Sequence, residues 1–263
     1  MNEKLEKRRK KYKRMLRLKI FLVIVLFLII LTIIILKFKN KKENSIDVYS
    51  SDILEENKNE IENQKIKEID SDINDWNLIL VNKDNNIPED YVVNTVKIEN
   101  KYEIDSRIKE AIEKMLEDAR KNGLKPVVCS AYRSTKYQTN LFNKKVQEYR
   151  KKGYTREQAK EQASKWVTIP GTSEHEIGLA LDIVDGSYQI LDEKQENTAV
   201  QKWLMEHCYE YGFILRYPTE KNDITKINYE PWHYRYVGVE NAMFIKEKGY
   251  CLEEFIDYLK ETS

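Results

Sequence analysis

The feature that most limits how this chain can fold is an uncharged apolar run near its N-terminus. The run, IFLVIVLFLIILTIIIL, covers residues 20–36 and contains seventeen residues without a charge. A helix rises about 1.5 Å per residue, so a helix of this length spans roughly 25 Å, enough for the hydrocarbon core of a bilayer. We therefore predict a transmembrane helix over residues 20–36, preceded by a basic cytoplasmic segment over residues 1–19.

A cleavable signal peptide is the alternative interpretation of this run. The apolar part of a signal peptide usually has about 7–15 residues and ends in small residues. Here the run ends in LKFK, without such a cleavage site. Residues 1–19 carry ten Lys/Arg against two Glu, and the positive-inside rule keeps such a segment in the cytoplasm. The sequence therefore predicts a single-pass cell-membrane protein whose larger, C-terminal part is extracytoplasmic.

The charge distribution supports this division and limits the class of partner. Residues 1–42 have a net charge of +12 and the whole chain has +1, so residues 43–263 carry −11. An acidic outer segment argues against nucleic acid as a partner. The basic N-terminus suits anionic lipid instead. The membrane is therefore the one macromolecular partner that the composition indicates, and no motif predicts a protein partner.

The remainder divides into a polar linker and one folded domain. Residues 37–75 are charged and poor in aromatic side chains, which is typical of a disordered or weakly helical tether. The domain is predicted over residues 76–263, long enough for a single core. Its mixed pattern predicts strands over 76–82, 91–98, 126–132, 178–184 and 230–238, and helices over 105–121, after Ser134, after Thr155, over 199–211 and at the C-terminus. This order favours an α+β domain with a small antiparallel sheet flanked by helices over a doubly wound fold.

The cysteines and one of the histidines give little functional information. Cys129, Cys208 and Cys251 are too few for a disulfide framework, and none has the spacing of a metal site. Cys129 is predicted to be a buried thiol, whereas a bridge between Cys208 and Cys251 stays open. His207 lies in a helical stretch, where we predict a structural role.

Two short segments concentrate the residues that can carry chemistry. In GLALDIV, period-two alternation places Leu179 and Leu181 on the core face and Asp182 on the other, with His175 in the preceding turn. Taken alone, this segment also fits a surface aspartate and a helix-capping histidine. The second segment, EPWHYRYVG, adds Glu230 and His233 with strand character. Two histidines and two carboxylates therefore lie in two strand-like segments.

This residue set suits a catalytic zinc site. Catalytic zinc takes three protein ligands from His and Asp/Glu and keeps a fourth position for water, whose pKa it lowers. We predict His175, Asp182 and His233 as ligands of one Zn²⁺. Glu230 is the predicted general base, because its neighbour His233 is a ligand. The set excludes a serine-type peptidase.

These segments resemble the VanY-type D-alanyl-D-alanine carboxypeptidases, a family of zinc peptidases of bacterial peptidoglycan. SEHEIGLALDI is similar to the family pattern S-x-H-x-x-G-x-A-x-D, and EPWHYR is similar to E-x-W-H-x-R. SAYRSTKYQ and YGFILRYP add two further matches in the same order, so the resemblance covers residues 76–263. It implies the same zinc ligands and base, and removal of the terminal D-alanine from peptidoglycan stem peptides.

The resemblance also implies substrate-binding residues. Arg133 is expected to bind the terminal carboxylate of the substrate, as a guanidinium can in bidentate fashion. Gln138 and Ser173 are expected to contribute hydrogen bonds, and Tyr132 either contributes or only packs. Glu176, where relatives often have Gln, departs from the family pattern beside a ligand.

Three alternatives stay open at this point. A related site can act as an L,D-carboxypeptidase on a tetrapeptide or as an endopeptidase on an internal bond. A non-catalytic cell-wall-binding module is the third, although such a module would usually lack a ligand or the base.

Overall fold

The computed structural model describes residues 69–99 and 101–262, which fold around two antiparallel sheets. The strands are β1 (Thr95–Ile98), β2 (Tyr102–Asp105), β3 (Pro126–Ser130), β4 (Ala180–Asp185), β5 (Phe213–Leu215) and β6 (His233–Tyr236). The helices are α1 (Lys109–Lys121), α2 (Thr135–Lys151), α3 (Arg156–Ser164), α4 (Ala199–His207), α5 (Asn222–Thr225), α6 (Val239–Lys248) and α7 (Leu252–Thr262). Short 3₁₀ turns at Ser106–Ile108, Glu193–Asn197, Cys208–Tyr211 and Thr219–Lys221 connect them. The α+β class is therefore confirmed.

The four-stranded sheet has the order β3-β4-β6-β5 and is antiparallel throughout. Leu179, just before β4, and Leu181 and Ile183 on one face of β4 are buried in the same core cluster as the apolar residues of helix α1. The buried positions of α1 are Ile112, Met115, Leu116 and Ala119, the helical spacing expected from the sequence. The opposite face of β4, which carries Asp182, is therefore left for the functional site.

The predicted helix starts after Ser134 and Thr155 are confirmed. The Ser134 hydroxyl accepts a hydrogen bond from the Tyr137 N–H at the start of α2. Thr155 and Gln158 form a reciprocal capping box at the start of α3. Helices α2 and α3 pack through Phe142, Val146, Ala159 and Ala163, a small cluster of their own.

The prediction of a strand over residues 76–82 is wrong. The segment makes only an isolated bridge between Asn82 and Asn85. Arg235 explains the difference, because its Nη2 donates to the carbonyl oxygens of Asn77 (3.0 Å) and Ile79 (2.9 Å). A guanidinium thus satisfies the acceptors that a neighbouring strand would otherwise take.

Other differences concern element ends. The strand predicted over 91–98 is ordered as a strand only over β1, and the helix predicted over 105–121 begins at Lys109 after a 3₁₀ turn. The helix predicted over 199–211 ends at His207 and continues as a 3₁₀ turn. Strands β2 and β5, with four and three residues, carry too few positions for a clear alternation.

Gly178 is required by a close approach of the chain. Its φ is +72°, and a Cβ at this position would lie 2.9 Å from the Asp105 backbone nitrogen. That nitrogen donates to the Gly178 carbonyl at 3.0 Å. The glycine therefore lets the end of β2 contact the turn that carries His175.

Two predictions fall partly or wholly outside the described residues. The predicted transmembrane segment, residues 20–36, lies outside them, and within 69–99 and 101–262 no helix is long and apolar enough to cross a membrane. The end of the predicted linker is inside them, where Ile69 and Ile73 pack against the cluster that helices α6 and α7 form.

Candidate metal centre

Sheet register brings the predicted ligands together. In the β4–β6 pair, Asp182 lies directly opposite His233. In the β3–β4 pair, Asp182 lies opposite Ser130, beyond an irregularity between Val128 and Ser130. The turn before Gly178 adds His175, whose carbonyl oxygen accepts the Arg133 backbone N–H at 3.1 Å. Three separate chain segments thus converge on one carboxylate.

The three side chains form one buried group. The Oδ1 atom of Asp182 lies 3.4 Å from His175 Nε2 and 3.2 Å from His233 Nδ1. The two imidazole rings are perpendicular, with centroids 4.9 Å apart. One candidate ligand atom from each residue lies within 4.8 Å of the others, and no residue of the three is more than 4 % exposed.

Hydrogen bonds on the far side of each ring fix which nitrogen faces the aspartate. His175 Nδ1 lies 2.8 Å from the carbonyl oxygen of Ala131, an acceptor only, so Nδ1 carries the proton. His233 Nε2 lies 3.3 Å from Glu174 Oε2, which likewise assigns the proton to Nε2. In the neutral rings, which are the forms that bind a metal, His175 Nε2 and His233 Nδ1 therefore direct lone pairs towards Asp182.

The surroundings of Asp182 Oδ1, the oxygen that both imidazole lone pairs face, indicate that a cation binds there. Asp182 Oδ1 is buried and has no hydrogen-bond donor. A buried carboxylate oxygen without a donor is costly unless a positive charge balances it. Two imidazole nitrogens and one carboxylate oxygen are the donor set of catalytic zinc and leave a fourth position open. The residues present thus fit one Zn²⁺.

The pKa values of the two histidines shift in opposite directions. Burial lowers the pKa of His233, but the Asp182 and Glu174 carboxylates on either side of the ring outweigh it and raise that pKa to about 9. Positive charge is therefore favoured here, and a bound cation would supply it in place of the Nδ1 proton. Burial and the Arg133 charge lower the pKa of His175 to about 4, which keeps this imidazole neutral. A neutral ring is the form that binds a metal.

Arg133 lies on the other side of the same aspartate. Its Nη2 donates to Asp182 Oδ2 at 2.7 Å, and its Nε donates to Ser130 Oγ at 2.9 Å. Its Nη1 donates to Gln138 Oε1 at 3.4 Å. Arginine has five N–H donors, so one on each of Nη1 and Nη2 remains for a carboxylate ligand. Arg133 is therefore held in place by Gln138 while keeping capacity for a substrate.

Glu230 lies beside the histidine that follows it by three residues. Its Oε2 atom is 3.7 Å from His233 Nδ1, and its carboxylate accepts no hydrogen bond from any described residue. Burial raises the pKa of Glu230 to about 8. Its backbone is fixed by two hydrogen bonds, from its own N–H to the Tyr217 carbonyl and from the His233 N–H to its carbonyl. A buried carboxyl with an unengaged side chain next to the ligand group can take up and release a proton.

A cavity of about 240 Å³ opens onto this group. It is lined by Arg133, Leu141, Lys145, Trp166, Val167, Thr168, Ser173, His175, Asp182, Leu191, Tyr217, Ile227, Glu230, Trp232 and His233. Ser173 therefore reaches the cavity as the sequence predicts. Gln138 does not line it, but lies behind Arg133 with its Nε2 donating to the Thr168 carbonyl at 2.8 Å.

Tyr132 is also absent from the cavity lining. Its backbone N–H donates to the Glu103 carbonyl at 2.8 Å, which places this residue beside β2. The packing alternative is therefore the one that the geometry supports for Tyr132.

A buried ionic network behind His233 was missed by the sequence analysis. The Glu174 carboxylate accepts from Arg216 Nε at 2.7 Å and from Arg235 Nη1 at 2.9 Å, in addition to its contact with His233. Arg216 also donates twice to Glu253, at 2.8 and 2.6 Å. The sequence did contain a signal for this network, because Arg216 and Arg235 lie in apolar, strand-like segments. Fully buried guanidinium groups require buried acids as partners.

The outer part of this network gives a stability prediction. Glu253→Gln is expected to lower the free energy of unfolding at pH 7 by about 3 kcal/mol, because it removes the charge that pairs with buried Arg216. Burial raises the pKa of Glu253, but the Arg216 charge outweighs it and holds the pKa below its ordinary value. The contribution of the Glu253–Arg216 ion pair to the free energy of unfolding is thus complete above about pH 4.3. It is lost as the pH falls through the pKa of Glu253 in the folded state.

Urea denaturation of wild type and Glu253→Gln at pH 7 and near pH 3 measures this difference. We expect the gap between the two proteins to narrow at the lower pH. A gap that stays constant or widens would contradict the assignment to this ion pair.

The remaining single-residue predictions concern His207 and the cysteines, and Cys129 is partly buried where full burial was predicted. His207 is paired with Glu210, whose Oε1 lies 2.9 Å from His207 Nδ1, on the surface. The three cysteines are unpaired thiols, so the bridge between Cys208 and Cys251 is not formed. Cys129 lies under the site, with its Sγ 3.4 Å from the Asp182 carbonyl, and burial raises its pKa to about 12.

Comparison with known proteins gives concordant matches. The family model described as "VanY: D-alanyl-D-alanine carboxypeptidase" matches residues 101–239. A D-alanyl-D-alanine carboxypeptidase of Enterococcus faecalis is 46 % identical over 187 residues, 71 % of this chain and 68 % of that protein.

Solved structures with the same fold include peptidases of two specificities. VanYB in complex with D-alanine-D-alanine has a TM-score of 0.65 and 45 % identity, covering 69 % of this chain and 98 % of that one. A mutant of the vancomycin-resistance D,D-pentapeptidase VanY in complex with Zn(II) has a TM-score of 0.63 and 45 % identity, covering 69 % and 99 %. The LD-carboxypeptidase LdcB has a TM-score of 0.57 and 35 % identity, covering 68 % and 84 %.

Proposed function

Because the chain belongs to the VanY family of D-alanyl-D-alanine carboxypeptidases, we propose that it removes the terminal D-alanine from peptidoglycan stem peptides outside the cell membrane. The chain is a zinc-dependent metallocarboxypeptidase. The proposal rests mainly on the Asp182 carboxylate, which contacts both the metal-ligand group and the arginine expected to bind the substrate. Asp182 Oδ1 faces the ligand nitrogens of His175 and His233, and Asp182 Oδ2 accepts from Arg133.

This arrangement links the metal to recognition of a free C-terminus. Zinc held by His175, Asp182 and His233 would lower the pKa of water and polarise the substrate carbonyl. Arg133, a few ångströms away, offers its two unengaged N–H groups to the terminal carboxylate. The peptide bond one residue before that carboxylate is then held near the metal, as exopeptidase cleavage requires.

Glu230 supplies the proton transfers in this proposal. Its unengaged carboxylate accepts a proton from the attacking water and later passes that proton to the leaving amine of D-alanine. Burial raises the pKa of Glu230, and the charge of a zinc ion bound beside it would lower that pKa again, which leaves the carboxylate able to accept the proton.

The membrane location is part of the proposal and has its own support. The apolar run over residues 20–36 and the basic segment before it indicate a single-pass anchor with the catalytic domain outside. The acidic, polar residues between the anchor and Ile69 would let the domain reach wall peptides above the membrane.

The proposed function is tested with the full-length protein loaded with zinc. It is incubated with a muramyl pentapeptide ending in D-Ala-D-Ala, with the tetrapeptide, and with the pentapeptide amidated at its C-terminus. Mass spectrometry is expected to show loss of one alanine from the free pentapeptide only, because the amide cannot pair with Arg133. Cleavage of the tetrapeptide alone would assign L,D specificity, as in LdcB. Internal cleavage would indicate an endopeptidase, and no cleavage with zinc bound would indicate a wall-binding module.

A further inference from the structure

We propose that Tyr217 is a further catalytic residue, whose hydroxyl donates a hydrogen bond to the substrate carbonyl oxygen as that oxygen becomes negatively charged. The inference rests on the proposed peptidase function. It assigns a task to a side chain of the cavity wall that neither binds the metal nor contacts Arg133.

The backbone of Tyr217 is fixed by both catalytic segments. The Arg216 N–H donates to the His233 carbonyl at 3.2 Å, which continues the β5–β6 pairing one residue beyond β5. The Tyr217 carbonyl accepts the Glu230 N–H at 3.2 Å. Tyr217 is therefore held between the strand that carries His233 and the bend that carries Glu230.

The ring of Tyr217 is fixed as well. Its centroid lies 4.8 Å from that of the His233 imidazole, and the Arg216 guanidinium carbon lies 4.9 Å from the Tyr217 ring centroid. Contacts with an imidazole and a guanidinium leave the aromatic ring little freedom to rotate. The position of the hydroxyl is consequently set before any substrate arrives.

The hydroxyl of Tyr217 is not used by the fold. Tyr217 is only 4 % exposed, yet its hydroxyl makes no hydrogen bond to any described residue. Within the described residues, the buried side-chain oxygens without a partner are Glu176 Oε2 and Asp182 Oδ1, and the Tyr217 hydroxyl is not among them. Part of the small exposed surface of Tyr217 therefore belongs to its hydroxyl. Tyr217 is also one of the residues that line the cavity.

Other tyrosines of the domain differ in this respect. The Tyr234 hydroxyl donates to Gln201 Oε1 at 2.7 Å, and the Tyr211 hydroxyl donates to Asp118 Oδ2 at 3.0 Å. Those hydroxyls are engaged within the fold. The Tyr217 hydroxyl is an unengaged donor on a side chain that lines the same cavity as Glu230 and His233. Tyr217 also borders a smaller cavity of about 20 Å³.

A donor at this place matches the charge that the reaction creates. When the water oxygen bonds to the carbonyl carbon, Glu230 takes the water proton and the carbonyl π electrons move to the oxygen. Burial raises the pKa of Tyr217 well above its ordinary value, so the phenol is protonated at neutral pH and donates to that oxygen without transferring its proton. The C–N bond then breaks, the oxygen charge returns to the carbonyl, and Glu230 gives its proton to the amine. Such a donor contributes most in the transition state.

Tyr217→Phe tests the inference because it keeps the ring and removes only the hydroxyl. Loss of a single oxyanion donor usually lowers kcat by about 10²–10³-fold. Since bound zinc would share the charge, we expect a loss of about 10–100-fold in kcat with KM changed less than about threefold. The inhibition constant of a phosphinate analogue of the terminal dipeptide, a tetrahedral mimic, should rise by the same factor.

A measurement of zinc affinity and a matched control variant distinguish a catalytic role of the Tyr217 hydroxyl from a structural one. Zinc affinity, measured by chelator competition, should be unchanged in Tyr217→Phe because the ring against His233 remains. Tyr211→Phe removes an engaged hydroxyl distant from the cavity lining and should leave kcat and the phosphinate constant unchanged. Unchanged kcat in Tyr217→Phe, a rise in KM alone, or a parallel loss of zinc affinity would each overturn the inference. Absence of cleavage by wild type would instead overturn the proposed function.

Discussion

Glu230→Gln is expected to lower kcat about 10³–10⁴-fold while zinc stays bound. General acid–base catalysis contributes about 10²–10⁴-fold, and we expect the upper part of this range because one carboxylate serves both proton transfers. Glutamine keeps the size of the side chain but cannot take up the proton. The variant should therefore bind substrate and fail at the chemical step.

The measurement combines steady-state kinetics on the pentapeptide with chelator competition for zinc. Zinc affinity should change less than about threefold, since the Glu230 carboxylate is 3.7 Å from His233 Nδ1 and engages no described donor.

Glu210→Gln is the matched control for this variant. Glu210 also lies three residues from a histidine and is paired with it, His207, but on the surface. Its replacement should leave kcat unchanged. A Glu230→Gln protein that keeps more than a tenth of wild-type kcat would place the base elsewhere, and a parallel loss of zinc would make Glu230 a positioning residue.

Local patterns in the sequence predicted those parts of the fold that depend on local interactions. Helix α1 follows the apolar period of its own residues, and the caps at Ser134 and Thr155 involve neighbours three residues away. The two faces of β4 follow from alternation, which is why the sequence could assign Asp182 to the side opposite the core. Each of these features is encoded within one segment.

Features that depend on side chains from distant segments could not be predicted in this way. The apolar residues 76–82 resemble a strand, but their carbonyl groups accept from Arg235, more than 150 positions later. Gln138 was expected at the substrate and instead lies behind Arg133, because the Thr168 carbonyl takes its amide. The partner of each group is set by the assembled fold, which a pattern in one segment does not contain.

Glu174 is the clearest case, since its position in the sequence gives no indication of its partners. It directly precedes His175, but its carboxylate contacts the other histidine, His233, and two arginines from β5–β6. It is fully buried, and its pKa is held well below the ordinary value because the charges of Arg216 and Arg235 outweigh the effect of burial. Glu174 is therefore a charged acceptor that fixes the tautomer of a zinc ligand.

Glu174→Gln is accordingly expected to lower zinc affinity about 10–100-fold, the usual effect of losing such a partner. An amide has one oxygen and one NH₂ group where the carboxylate had two acceptors. The oxygen remains on the side of Arg216 and Arg235, because an NH₂ group facing two buried guanidinium groups costs more. The NH₂ group then faces His233 Nε2, so the proton of the imidazole moves to Nδ1, the nitrogen that should bind zinc.

Two measurements test this chain of events. The ¹⁵N chemical shifts of the His233 ring in the zinc-free protein, recorded above its pKa of about 9 so that the ring is neutral, should indicate a proton on Nε2 in wild type and on Nδ1 in Glu174→Gln. Chelator competition should show the loss of zinc affinity. The free energy of unfolding should also fall, by about 3–5 kcal/mol, because two buried arginines lose a charged partner.

Glu253→Gln is the control that separates the two effects, because Glu253 pairs with Arg216 but makes no contact with His233. It should destabilise the fold while leaving zinc affinity and the His233 tautomer unchanged. If both variants lose zinc equally, the metal site responds to the stability of the network as a whole. If only Glu174→Gln loses zinc, a buried acid adjacent in sequence to one zinc ligand sets the protonation of the other.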